Sequence, residues 1–195
     1  MPKLVHLTSM PKAEEAKRAL AETANRLFRE KGFENVGIRE IVGELGLTTG
    51  SFYYHFKSKA DILNYRAREK ELWLSQEVPG MLAGLRPREK IIRLLGGYLC
   101  DVIEEDGWAL SEDRMFAKNY KKRESDELMD LLCTFVEEAM AAARCKPERT
   151  AEELAKDLML VTRGVEYDWC IHRASYDLHT KVAEMVSMVL TANGL

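Results

Sequence analysis

The chain has no run of 18 or more apolar residues, so no membrane-spanning helix is expected. Its opening stretch, MPKLVHLTSMPK, lacks the apolar core of a signal peptide and reads as a flexible arm over residues 1–11. The four cysteines, Cys100, Cys133, Cys145 and Cys170, form no CxxC pair. Neither a zinc site nor a disulfide framework is suggested; reduced thiols in a cytoplasmic protein are expected. The four histidines, His6, His55, His172 and His179, lack metal-ligand spacing. HExxH, GxSxG and Gly-rich phosphate loops are missing too. No catalytic residue, metal or cofactor is therefore expected. Strand-like alternation, internal repeats and low-complexity tracts are absent, which leaves helices as the repeating element.

Strong positive charge is also lacking: the net charge is −3, not that of a protein coated in nucleic acid. The distribution is more informative. Residues 1–63 carry ten Lys/Arg and eight Asp/Glu, hence +2, which leaves −5 for the remainder. A mildly basic head on an acidic body suits a DNA reader whose body stays off the phosphates.

What is present is organised around residues 38–56, IREIVGELGLTTGSFYYHF. Ile38, Ile41, Val42 and Leu45 recur at helical spacing. Gly46 is a helix stop, because glycine takes the left-handed conformation without steric cost. Thr48 or Thr49 can cap a second, two-turn helix ending at His55-Phe56. Helix, glycine turn and short helix make a helix-turn-helix, whose second helix enters the DNA major groove. Thr49, Ser51 and Tyr54 are expected to point away from Phe52 and Phe56, where hydroxyls and a threonine methyl reach base edges. Arg39 is a candidate for backbone or base contact. Thr48 is more readily a cap than a contact, and His55 a packing or bracing residue.

Before this motif, Ala16, Leu20, Ala24, Leu27 and Phe28 stripe one long helix, closed by Gly32. After it, Ser58 caps a linking helix of about 59–77, ended by Pro79-Gly80. The body reads as all helical. Pro87 opens a helix that runs to about 106. Residues 108–120 look less regular. Leu128 to Met140 mark a strong helix. TAEE at 150–153 is a capping box for the next helix, with Leu154, Leu158, Val161, Val165 and Trp169 on one face. Ser175 or Asp177 caps the last helix. The fold class is thus all-α: a three-helix head over 1–57 and a helical ligand-binding and dimerisation domain over 58–195.

Ala24, Leu27-Phe28, Gly32-Phe33, Ile41, Gly46-Leu47, Gly50, Phe52-Tyr53, His55-Phe56 and Ser58-Lys59 fall in order and without gaps. Together they resemble the TetR family of bacterial transcriptional repressors over the first third of the chain. The body shows a looser likeness at 164–178, GVEYDWCIHRASYDL. Gly37 and the bulky Val42 and Leu45 depart from the family pattern, which often has Thr or Ser and small alanines there. A hydroxyl anchor for phosphate is therefore missing at Gly37.

The resemblance implies contacts to double-stranded DNA by Arg39, Thr48, Thr49, Gly50, Ser51, Tyr53, Tyr54, His55 and Lys59. Among these, Tyr53, His55 and Lys59 match positions linked with phosphate contact or bracing. It implies a homodimer through about 150–172 and 176–191, reading a near-palindromic operator. It also implies a small-molecule effector in the body, with Tyr98, Trp108, Met115, Phe116, Tyr120, Tyr167 and Trp169 as candidate lining. Arg114, Glu166 or His172 are its polar anchors. Trp108 and Phe116 lead, because the segment around them could move. Two other classes compete: a helical enzyme, and a protein-interaction module without specific DNA binding. A turnover screen separates the first, a gel shift the second.

Overall fold

The structure, a computed structural model, describes residues 12–116, 126–143 and 148–195. The arm, Tyr120 and Cys145 lie outside the described residues. Contacts divide the chain into two compact units, Met1–Arg66 and Ala67–Leu195. Every regular element among the described residues is helical.

The first unit holds α1 (Lys12–Lys31), α2 (Ile38–Glu44), α3 (Thr49–His55) and the start of α4 (Lys59–Gln76). Each boundary has a local cause. Gly46 takes φ +64 after α2, the left-handed conformation expected of it. Thr48, not Thr49, caps α3: its hydroxyl accepts from the Ser51 amide at 3.1 Å. Ser58 begins α4, accepting from the Asp61 amide at 3.3 Å. Leu20, Leu27, Phe28, Ile41, Phe52, Ile62 and Leu63 are fully buried, the apolar stripes of all four helices meeting in one core. Aromatic edges knit it: Phe28 meets Phe33 at 4.9 Å and Phe56 meets Tyr65 at 5.7 Å.

The second unit continues α4 and adds α5 (Val78–Met81), α6 (Pro87–Arg93), α7 (Cys100–Asp106), α8 (Trp108–Phe116), α9 (Asp126–Ala142), α10 (Ala151–Ile171) and α11 (Leu178–Ala192). The TAEE box forms as read: the Thr150 hydroxyl accepts from the Glu153 amide, and the Glu153 carboxylate accepts from the Thr150 amide. Asp177 caps α11 by accepting from the Thr180 amide at 2.6 Å. Leu94, Leu132, Leu158, Val182 and Leu190 are fully buried in a core shared by α6, α9, α10 and α11 and joined by Leu74 and Val78.

Three expectations need correction. Residues 108–116 are not irregular but helical, and only the rest of that stretch lies outside the described residues. Gly107 breaks the chain at φ +79, and its carbonyl then accepts from the Ser111 amide to start α8. Leu110 and Ser111 point inward; the mixed polarity of WALSEDRMF concealed that face. The 87–106 helix is not uniform, since 94–99 form a π turn. A Cβ on Gly96 would lie 3.0 Å from the Ala183 Cβ, so glycine at this turn lets α11 approach closely. Pro79-Gly80, finally, sits inside the short α5, where proline in the first turn loses no bond.

Candidate nucleic-acid interface

The short helix α3 is held from beneath and bare above. Phe52 is fully buried and Phe56 nearly so, which fixes the rotation of the helix. Tyr54 is then 79% exposed and Tyr53 59%, and Thr49 and Gly50 are exposed with them. Aromatic side chains left in water at this level on a two-turn helix are costly unless a partner covers them.

A cleft of about 700 Å³ opens beside the helix, lined by Glu34, Asn35, Val36, Gly37, Ile38, Arg39, Thr49, Tyr53 and Lys59. Lys59 is braced: its ammonium donates to the carbonyls of Phe33 at 2.7 Å and Val36 at 2.8 Å and lies 4.6 Å from the Phe33 ring centre. One of its three donors remains for an anion. Arg39 is exposed on α2. The Thr48 hydroxyl is occupied by the cap and lies 3.1 Å from the Ser51 hydroxyl. His55 is half-buried, its ring edge-on to Tyr54 at 4.9 Å. Arg39, Thr49, Tyr53 and Lys59 are thus gathered at one cleft, while Thr48, Ser51 and His55 make local contacts.

Nearby charges are arranged in pairs. Arg26 binds Glu30 and Glu44, and Lys31 binds Glu40. The Lys31 ammonium holds the Glu40 carboxyl below its ordinary range. Glu34 and Asn35 at the cleft were not singled out from sequence, and Ile38 was read only as part of the apolar stripe of α2; nothing in their type marks them for the cleft, because backbone geometry puts them there.

In the body, two of the sequence-based lining residues, Tyr167 and Trp169, face apart. Trp169 is buried and its indole N–H donates to the Tyr176 carbonyl at 3.1 Å. Tyr167, two positions earlier, is 47% exposed. Two residues span about 200° of helix, so these two rings face opposite ways. Tyr98 is half-buried and edge-on to Trp73 at 5.8 Å. Trp108 is half-buried with the Arg173 guanidinium 5.8 Å from its ring centre. Glu166 is buried; His172 is exposed and bonded to the Asp168 carbonyl. The side chains of Arg114, Met115 and Phe116, like Tyr120, lie outside the described residues. Sequence reasoning missed the buried Lys70–Asp106 pair at 2.5 Å, for which a lysine opposite an acidic helix end was the only signal.

A glycine-turned helix pair with a capped, outward-facing second helix defines a helix-turn-helix head of the kind that reads duplex DNA. Residues 20–65 match the family described as bacterial regulatory proteins, tetR family. The head of the chain therefore carries the DNA-binding region of that family. It is 36% identical over 91 residues to the uncharacterized HTH-type transcriptional regulator YerO of Bacillus subtilis, across 45% of this chain and 31% of YerO. The matched stretch thus spans about a third of that relative. Its fold is similar to Thermus thermophilus FadR, a TetR-family transcriptional repressor solved with lauroyl-CoA. That match has a TM-score of 0.67 at 18% identity and covers 89% of this chain and 93% of that one. Bacillus subtilis FadR with stearoyl-CoA is similar as well, at TM-score 0.68 and 12% identity, covering 89% and 97%. No helix among the described residues is long and apolar enough to cross a membrane.

Proposed function

We propose that this chain is a DNA-binding transcriptional repressor that grips a near-palindromic operator as a homodimer and lets go when a small molecule enters its body. The observation that carries the reading is α3: a capped two-turn helix anchored by Phe52 and presenting Thr49, Tyr53 and Tyr54 to solvent. The head, 1–57, reads the duplex; the body, 58–195, pairs and senses. Arg39, Tyr53 and the spare Lys59 proton meet phosphate or base, while Thr48 and His55 brace the helix.

One head touches few phosphates, so pairing is needed for useful affinity. Leu160, Tyr167 and Ile171 on α10 and Met188 on α11 are between 47% and 70% exposed. The three on α10 follow helical spacing with the exposed Gly164 between them, an apolar stripe suited to a second copy. Two paired heads read half-sites one helical turn, about 34 Å, or a multiple of it apart. Effector binding that favours a differently spaced pair of heads empties the operator by population shift. Acyl-CoA molecules are the first effectors to test, because two proteins of similar fold were solved with them.

The test is fluorescence anisotropy on the promoter beside the chain's own gene. Thr49→Ala with Tyr54→Ala should abolish the preference over scrambled duplex. Leu160→Glu should yield a monomer in sedimentation and weaken operator binding with it. An unchanged duplex preference, or a monomer that binds as well as the parent chain, overturns the reading. Lack of any sequence preference in the parent chain favours an interaction module instead.

A further inference from the structure

The helix α7 is tied at both ends. At its carboxyl end Asp106 holds the Lys70 ammonium of α4 at 2.5 Å, in a buried pair. Towards its amino end it meets α11 at the ring of His179. That ring reaches the π turn as well. Its Nδ1 lies 3.0 Å from the Gly96 carbonyl, one helical turn before Ala183, which packs against Gly96 itself. A carbonyl only accepts, so the hydrogen of a neutral ring sits on Nδ1. Nε2 is then a bare lone pair, and it faces two further acceptors: the carboxylates of Glu104 at 3.4 Å and Asp101 at 3.6 Å. A neutral His179 thus bonds the π turn and is repelled by α7. A proton on Nε2 turns that repulsion into two ion pairs and leaves the bond to Gly96 in place.

The charge around the ring is mostly negative. Among the described residues no lysine or arginine pairs with Asp101 or Glu104. Asp177, the cap of α11, adds its charge at His179, and Glu166 of α10 acts on the same corner through Cys100. The Cys100 thiol is neutral and donates to the Leu95 carbonyl at 3.2 Å. Of the cations on α6, Arg88 reaches the far end of α11 and Lys90 bonds Glu138, while the stem of Arg93 runs past Gly97. The amino end of α11 disfavours a cation, and the Asp177 carboxylate offsets this. His179 is half-buried, so its outer edge exchanges protons with solvent.

We propose that His179 is a proton-operated clasp. In mild acid its imidazolium locks α7 to α11. Above neutrality the same ring releases α7 while still holding the π turn. Because Lys70 fixes the other end of α7 to α4, acidity sets how firmly α11 and α4 are braced through the body.

Urea unfolding of the full chain at pH 5.5 and pH 8.0, parent against His179→Asn, tests this. Asparagine keeps a donor near the Nδ1 position and takes no proton in place of Nε2. The parent's advantage in the unfolding equilibrium constant should grow roughly threefold to tenfold from pH 8.0 to pH 5.5, the size of one or two part-exposed ion pairs. The double variant Asp101→Asn, Glu104→Gln keeps the ring and its bond to Gly96, and the parent should show the same pH-dependent advantage over it. Amides of α7, followed by hydrogen exchange and corrected for intrinsic rate, should exchange more slowly at pH 5.5 in the parent than in either variant. An advantage equal at both pH values overturns the proposal, and so does equal exchange of α7 in all three chains at pH 5.5. Should His179→Asn fail to fold, the carboxylate variant decides alone, since it leaves the π turn untouched.

Discussion

Replacing Lys70 by methionine should destabilise the body. Lys70 is 8% exposed and Asp106 4%. The ammonium donates to Asp106 at 2.5 Å and to the Val102 carbonyl at 3.3 Å, with Glu105 3.4 Å away. Methionine fills the same volume, so packing is nearly unchanged. What changes is that Asp106 loses its Lys70 ion pair at the carboxyl end of α7, where the helix dipole already disfavours a negative charge. The group can stay ionised in a dry site or take up a proton. Neutralising a carboxyl of ordinary pKa near 3.9 at pH 7 costs about 4 kcal/mol. That sets the scale and agrees with the roughly 3–5 kcal/mol seen when one partner of a buried pair is removed. The protonation route becomes cheaper in acid, so the penalty should shrink to about a third between pH 7 and pH 5. A second substitution, Asp106→Leu, removes that carboxylate and should recover most of the loss. Urea midpoints at fixed protein concentration measure all three chains. A Lys70→Met cost below about 1 kcal/mol, or a double variant no better than the single, would refute this account of a desolvated, mutually dependent pair.

Gly96→Ala should cost about 1–3 kcal/mol in the same assay, because its Cβ would meet Ala183 side chain and backbone at 3.0–3.1 Å. Ala183→Gly should relieve only part of that, since the backbone contact stays. A thiol reagent at pH 8 should label Cys133, which is partly exposed, well before Cys100 or Cys170 in the native protein; labelling with a Cys145→Ser chain and mass spectrometry reads this out. Burial, helped by Glu104 and Asp101, pushes the Cys100 thiol up to about 12, so it stays protonated. The bonds that Thr180 gives Asp177 hold that carboxyl below its ordinary range. Its contribution to α11 is therefore present above the usual carboxylate pKa and lost as pH falls through the lower, folded value. Asp177→Asn, which still caps, should flatten this part of the acid unfolding curve followed by far-UV circular dichroism, and an unchanged curve would count against the cap.

Punctuation made most of the fold legible. Gly46, Thr48, Ser58, Thr150, Glu153 and Asp177 act through their own backbone and that of residues up to four positions away, so their meaning is local and survives without a structure. The failures share the opposite property. Gly96 reads as a tolerated glycine in a helix until Ala183, far along the chain, comes against it. Leu110 and Ser111 turn inward because Gly107 resets the helix phase, which hydrophobic spacing across the break cannot reveal. The same division governs the two sites. The head's contact surface follows from one helix of seven residues whose buried side is fixed by Phe52, so Tyr54, two positions and about 200° further on, must face solvent. A pocket in the body requires side chains from several helices to converge, and an aromatic carries no sign of which neighbour it will meet. Trp169 spends its N–H on Tyr176 and Tyr167 faces away from it. A binding surface carried by one element can therefore be read from spacing, whereas a cavity enclosed by many must be seen.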